Sequence, residues 1–187
     1  GNDTLDGGEG VDRLYGGIGN DGLVVDNLGD FADGGSGLDY IHAMFGSATA
    51  DMSVVMGSNR TFAIGGATIA SNVEFMHLEL GSGDDQVNAG FHVSSVEGYG
   101  SYIGGGAGND HLVLDYSGTS LEGLTATGVS IWYYYDQRLI SVALSDGSIR
   151  QSHLYDFETS SITGSAGDDY FTGFEGSDTI QSGAGHD

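Results

Sequence analysis

Five aspartates, Asp3, Asp12, Asp21, Asp30 and Asp39, recur nine residues apart, and two positions after each comes Leu5, Leu14, Leu23, Ala32 or Ile41. Three of them close a glycine-rich hexad: Gly7-Gly8-Glu9-Gly10-Val11-Asp12, Gly16-Gly17-Ile18-Gly19-Asn20-Asp21 and Gly34-Gly35-Ser36-Gly37-Leu38-Asp39. A worn copy, Val25 to Asp33, has lost its glycine pair but keeps Asp30 in place. The donors such a unit offers are hard oxygens: carboxylates, and carbonyls freed by glycine geometry. There is no Cys in the chain and no His at a regular place in the unit. That donor set suits Ca²⁺, which takes six to eight oxygens at roughly 2.3 to 2.6 Å. Mg²⁺ would demand a tighter octahedron and keep more water, and the ligand types disfavour zinc.

The element that must position these carboxylates is a turn followed by a very short strand, since Gly-Gly-x-Gly-x-Asp is followed by three residues with one apolar side chain in the middle. One unit buries one side chain and cannot form a core, so units must stack until their apolar residues share a ladder. Two units per coil give an eighteen-residue rung. Asp3, Asp21 and Asp39 then line one edge and Asp12 and Asp30 the other, with neighbours roughly 4.8 Å apart. Carboxylates that close repel by about 1 kcal/mol per pair in water and about 4 at an effective dielectric near 20, so a cation is needed between them.

The nonapeptide resembles the RTX, or haemolysin-type calcium-binding, repeat GGxGxDx(apolar)x. The resemblance implies an all-β fold, a parallel β-roll or β-helix solenoid with Ca²⁺ held between stacked turns, here interrupted by blocks of longer strands. It also implies bacterial type I secretion. Carried onto this chain, it makes Asp3, Asp12, Asp21, Asp30 and Asp39 side-chain ligands, with carbonyls of Gly8, Gly10, Gly17, Gly19, Gly35 and Gly37 completing the shells; the site joining Asp12 to Asp30 departs from the pattern. Later turns add Gly81, Gly83 and Asp85, then Gly106, Gly108 and Asp110. Ser165, Gly167 and Asp169 follow, then Gly176 and Asp178, and finally Gly185 and Asp187.

Composition agrees with a metal-stapled array. Of the 187 residues, 35 are Gly, none is Pro or Cys, and 27 acids against 4 bases give a net charge of -23. Such a charge excludes nucleic acid as a partner. Twenty of the acids are Asp and there is no Lys, which favours cation sites over a generic solvated acidic face. Roughly five to ten Ca²⁺ are expected; about seven would neutralise around fourteen charges and leave the protein acidic. No apolar run is long enough for a membrane span. Gly1 and Asp187 both fall inside a repeat unit, so a longer parent chain and neighbouring repeats of that chain as partners are expected.

Beyond residue 42 the frame lapses and returns. Strands are expected over Asp51 to Met56, Arg60 to Ile64 after a Gly57-Ser58-Asn59 turn, and Ala67 to Leu80. After a weak stretch from Phe91 to Ile103, a second lapse carries strands near Val129 to Tyr135, Leu139 to Leu144 and Ser148 to Phe157, with turns at Asp136-Gln137 and Ser145-Asp146-Gly147. The order suggests a tandem of two units of about 85 residues, each a calcium turn, a β block and a closing calcium turn. The expected organisation is thus 1–85, a roll plus β block; 86–104, a connecting coil; 105–169, a second β block; and 170–187, the start of a further roll. No segment has a helical period.

Catalytic constellations fare poorly. No G-x-S-x-G elbow or H-E-x-x-H helix occurs, and the six His are scattered, with His42 and His111 placed as outward-pointing strand residues. The paired acids Asp84-Asp85 and Asp168-Asp169 could suggest glycoside hydrolysis, but their second members fill the repeat position and the first stand where Asn20 and Asn109 do. In the run Ile131-Trp132-Tyr133-Tyr134-Tyr135, alternation should put one aromatic set in the core and the other on an exposed face, where it could stack on sugar rings or a partner. The expectation is a non-enzymatic calcium-binding module of a large secreted protein, of adhesin or surface-layer type, folding outside the cell. Cell-surface polysaccharide and self-assembly are its candidate partners. The alternative is the calcium-binding tail of an RTX enzyme or toxin whose catalytic domain lies elsewhere.

Overall fold

The computed structural model describes residues 1–57, 60–89, 100–118, 123–135 and 137–187. Expectations placed on Phe91 to Tyr99, Ser58-Asn59 and Asp136 lie outside them. Among the described residues there is no α-helix, and eighteen strands run in the order β1 (Thr4–Asp6), β2 (Arg13–Ile18), β3 (Gly22–Val25), β4 (Phe31–Ser36), β5 (Tyr40–Met44), β6 (Ser53–Gly57), β7 (Thr61–Ile64), β8 (Ala67–Ser71) and β9 (Phe75–Glu79), then β10 (Gln86–Asn88), β11 (Ser101–Gly104), β12 (His111–Asp115), β13 (Ala126–Tyr134), β14 (Gln137–Leu144), β15 (Ile149–Tyr155), β16 (Thr159–Thr163), β17 (Tyr170–Phe171) and β18 (Asp178–Gln181). No helix of the described chain is long and apolar enough to cross a membrane.

Each nonapeptide gives one strand, and successive strands go to opposite sheets. One sheet has the order β1-β3-β5-β9-β11-β15-β14-β13-β17 and the other β2-β4-β8-β7-β6-β10-β12-β16-β18. The repeat frame fixes the register: Leu5 pairs with Leu23 and Leu23 with Ile41 in one sheet, and Leu14 with Ala32 in the other, all in parallel. A ladder of this kind needs one inward side chain per rung, which the apolar position two residues after each Asp provides. Inward residues of both sheets, among them Leu23, Ile41, Leu78, Leu112, Ile131 and Ile140, form one buried cluster.

The sheets are mixed, so the expectation of a purely parallel solenoid needs correction. Strands β6, β7 and β8 form an antiparallel meander, and so do β13, β14 and β15. Both are wired alike. The last strand of each meander pairs in parallel with the coil before it, β8 on β4 and β15 on β11, and the first with the coil after it, β6 on β10 and β13 on β17. An odd number of antiparallel strands leaves its two outer members pointing the same way, so parallel pairing resumes on both flanks. One meander sits in each sheet.

Two further expectations change. Ala67 to Leu80 is not one strand: the chain breaks at Asn72, whose φ is 51°, and crosses from β8 in one sheet to β9 in the other. The aromatic run does not supply the core. Val129 and Ile131 are buried, whereas Tyr133, on their side of β13, is 61% exposed at the margin with the Arg138 guanidinium 3.3 Å from its ring centre, and Tyr135 is 91% exposed. Trp132 is partly buried on the other face.

Truncating a fully buried ladder residue should leave a cavity that stacked neighbours cannot fill. Leu112→Ala and Ile140→Ala are each expected to cost about 2 to 5 kcal/mol, whereas Val55→Ala on an outward position should stay within about 0.5 kcal/mol, read from denaturant unfolding with calcium saturating.

Candidate metal centres in the stacked turns

The turns are joined by carboxylates that reach back one coil. Asp21 Oδ1 accepts the Asp3 amide at 2.7 Å, Asp39 Oδ1 accepts the Asp21 amide at 2.8 Å, and on the other edge Asp30 Oδ1 accepts the Asp12 amide at 2.9 Å. The same bond recurs where Asp85 accepts from Met52 and Asp110 from Asp85, at 2.7 and 2.8 Å, and where Asp169 accepts from Val129 and Asp187 from Asp169, at 2.6 and 3.1 Å. The fifth residue of the turn makes the reciprocal link: Asn20 donates its amide to Asn2 Oδ1, Asn109 to Asp84 Oδ1 and His186 to Asp168 Oδ1. This is the work of the first acid in each Asp-Asp pair.

Two ligand-like positions escaped sequence reasoning. The row Asp3, Asp21, Asp39 ends on Glu74, whose Oε2 accepts the Asp39 amide at 2.7 Å, and Asp85, Asp110 ends on Glu158, whose Oε2 accepts the Asp110 amide at 2.7 Å. Both follow a lapse in the frame, and the longer side chain spans what the nonapeptide turn would have closed. Glu74-Phe75-Met76 keeps the acid-x-apolar spacing, which was the available signal. Arg60 forms an ion pair with Glu74 Oε1, so the charge ending this row meets a side-chain cation.

The second carboxylate oxygens divide the turns into two kinds. Oδ2 of Asp12, Asp21, Asp39, Asp85 and Asp110 is buried and without a hydrogen-bond donor. In each of those turns the second residue is glycine, namely Gly8, Gly17, Gly35, Gly81 and Gly106. Asp30, Asp169 and Asp178 differ. Their second positions hold Asp26, Ser165 and Phe174, and the amide of that residue donates to Oδ2 at 3.2, 2.8 and 2.8 Å, joined at Asp30 by the Asn27 amide at 3.0 Å. At Gly17, Gly35 and Gly106 the φ values of 93°, 96° and 96° lie in the left-handed region, which a residue with a Cβ adopts at a cost. A glycine there leaves the carboxylate open, and another residue closes it with its own N–H.

Carbonyls stand near the open oxygens: a Cβ on Gly16 would meet both Asp21 Oδ2 and the Gly34 carbonyl oxygen, and one on Gly105 both Asp110 Oδ2 and the Asp156 carbonyl oxygen. A Cβ added to Gly37 would run into the carbonyl oxygen of Gly19 in the turn beneath, one on Gly108 into that of Gly83, and one on Gly35 into that of Gly17. The glycines thus let oxygen-bearing backbone approach from one turn to the next beside the open carboxylates. Buried carboxylate oxygen without a donor, with carbonyl oxygen nearby and no nitrogen or sulfur ligand in the turn, fits a hard divalent cation. Asp3 and Asp187, at the two ends of the chain, are exposed.

Burial pushes the carboxyls of Asp39 and Asp85 up, and pushes Asp110 to about 6; neighbouring carboxylates add to the rise and the bonded amides oppose it. A carboxyl with a raised folded pKa holds its proton more tightly folded than unfolded. Metal-free stability is therefore greatest below the unfolded value of 3.8 and falls as the pH rises through about 6. The far-UV β signal of the calcium-depleted chain is expected to weaken from about pH 4 to about pH 6.5; a signal that strengthened over that window would contradict the assignment of the charge.

A family model for the RTX calcium-binding nonapeptide repeat matches the chain in four copies, at residues 1–23 and 160–187. No match to a curated protein was found. The turns at residues 34–39, 80–85 and 105–110 lie between the matched stretches and repeat the open carboxylate geometry. Residues 1–23 and 160–187 are thus RTX calcium-binding nonapeptide repeats, at the two ends of the chain.

Proposed function

We propose that this chain is a calcium-stapled structural module, its two sheets the walls of one roll, within a large secreted bacterial protein of adhesin or surface-layer type. One observation carries the reading: among the described residues five buried carboxylate oxygens lack a donor, and all five belong to turns with glycine at the second position. An ionised carboxylate out of water costs several kcal/mol unless its charge is met. A Ca²⁺ between successive turns meets it and also replaces the repulsion between stacked acids with attraction. The ligands are Asp12, Asp21, Asp39, Asp85 and Asp110, with carbonyls of the glycines in their own and adjoining turns. In the turns of Asp30, Asp169 and Asp178 the amide takes the cation's place, and those turns hold without an ion.

Folding is then tied to the ion, because glycine-rich turns are costly to order and the acid rows oppose closure. Extracellular modules bind calcium at about 10⁻⁴ to 10⁻³ M, which suits a chain that stays loose inside the cell and orders outside it. The adhesin or surface-layer reading is preferred to the tail of an enzyme or toxin because two identically wired meanders lengthen the sheets between successive coils, which a plain calcium roll does not need. The module is not itself catalytic in this reading.

Calorimetric titration with Ca²⁺ tests it through two substitutions with opposite expected effects. Asp110→Asn keeps an oxygen for the Asp85 amide but removes the open charge; it should bind one ion fewer, lower the Tm in calcium and raise the residual order without it. Ser165→Gly lets the backbone take the left-handed φ that turns the closing N–H away from Asp169 Oδ2, and should add one ion. Absence of any calcium binding at millimolar concentration would end the proposal, and unchanged stoichiometry in both variants would remove the open and closed distinction alone.

A further inference from the structure

A cluster of two histidines and a glutamate, chemically unlike the calcium turns, lies on the outer face of the sheet that contains β5 and β9. His42 and His77 are paired directly across these parallel strands, and Glu79, two residues after His77, shares their face. The imidazole rings stack with centroids 4.6 Å apart and planes within 11°. Both present Nε2 to one carboxylate oxygen: Glu79 Oε1 lies 3.5 Å from His42 Nε2 and 3.2 Å from His77 Nε2, and the three ligand atoms all fall within 4.8 Å of one another. His42 Nε2 is buried and has no hydrogen-bond partner, so its separation from Glu79 is not that of a hydrogen bond. Ligands arranged tetrahedrally about zinc at roughly 2.0 to 2.1 Å stand roughly 3.3 to 3.4 Å apart, a spacing that lies between the 3.2 and 3.5 Å found here.

Nothing in the repeat explains this arrangement. The three residues sit on strands and not in turns, and imidazole is a poor ligand for calcium but a good one for borderline transition ions. The sheet register fixes where the side chains start, and the setting is shaped around them. Tyr155 lies across Gly104, where a Cβ would strike its ring, and its hydroxyl hydrogen-bonds His77 Nε2 at 3.1 Å, a contact that an ion on that nitrogen would replace. Two nitrogens and one carboxylate are the ligand number of an open zinc site, with a fourth position left for water.

We propose that His42, His77 and Glu79 form a binding site for a single borderline divalent transition ion of the Zn²⁺ class, separate from the calcium turns. It is tested on the full chain with calcium saturating, so that the fold is complete before the second metal is added. Zn²⁺ is expected to bind with one equivalent above the calcium complement. His42→Ala, His77→Ala and Glu79→Gln should each weaken it by at least about tenfold, while His153→Ala, on the same sheet face outside the cluster, should not change it. Far-UV spectra in calcium report whether each variant has folded. Co²⁺ added to the unaltered protein gives a reading that needs no variant: intense visible bands of a four-coordinate site, abolished by Zn²⁺, are expected. Only the weak bands of six-coordinate Co²⁺, or Zn²⁺ binding unchanged in a folded His42→Ala/His77→Ala double variant, would overturn the assignment.

Discussion

Each repeat carboxylate divides its two oxygens between two tasks, and the rest of the structure depends on that division. Oδ1 takes the amide of the preceding coil and so sets the stacking distance. Oδ2, in the turns of Asp12, Asp21, Asp39, Asp85 and Asp110, is held in a buried place without a donor. The first glycine of the turn makes room for that carboxylate; a Cβ on Gly16 or Gly105 would meet the side chain of Asp21 or Asp110. The second turns its N–H away, and the fourth admits the carbonyl of the turn beneath. Three glycines and one aspartate therefore have separate physical reasons, and turns without the second glycine cap their own carboxylate where those with it leave an oxygen open.

The roll tolerates long insertions because the constraint acts only at the turns. The acid-to-amide link spans 18 residues in the regular coils, 35 from Asp39 to Glu74 and 48 from Asp110 to Glu158. Whatever lies between must return a strand in the right direction, and a three-stranded meander does so. Inward positions in the meanders continue the same core, as the alternation of buried Ile140, Val142 and Leu144 in β14 shows. Loop closure grows costly only slowly with length, so such insertions weigh lightly on the fold.

Much of this was legible in the sequence where the period was strict. The nine-residue spacing of Asp3 to Asp39 gives the strand, the inward residue and the pairing partner at once, and the all-β character follows. Glu74 and Glu158 were not legible, because the frame has lapsed before each and only the fold shows which carboxylate ends the row. The break at Asn72 was hidden for a related reason: Ala67 to Leu80 alternates well enough for one strand, and only the need to reach the opposite sheet bends it. Tyr133 and Tyr135 were misplaced because alternation tells the face but not how far the core extends along it. Nor could spacing alone separate open from closed aspartates, since that depends on where one amide points. His42, His77 and Glu79 lie 35 and 37 residues apart in sequence terms and meet only through the register of β5 with β9.

The account stands on the claim that the open carboxylates, once ionised, can be buried only when bridged by a divalent ion. Far-UV circular dichroism of the chain at neutral pH, first in chelator and then through a calcium titration, tests it most directly. A largely disordered spectrum that converts cooperatively to β structure as calcium is added is the predicted result. A full β spectrum in chelator, unchanged by calcium, would contradict it.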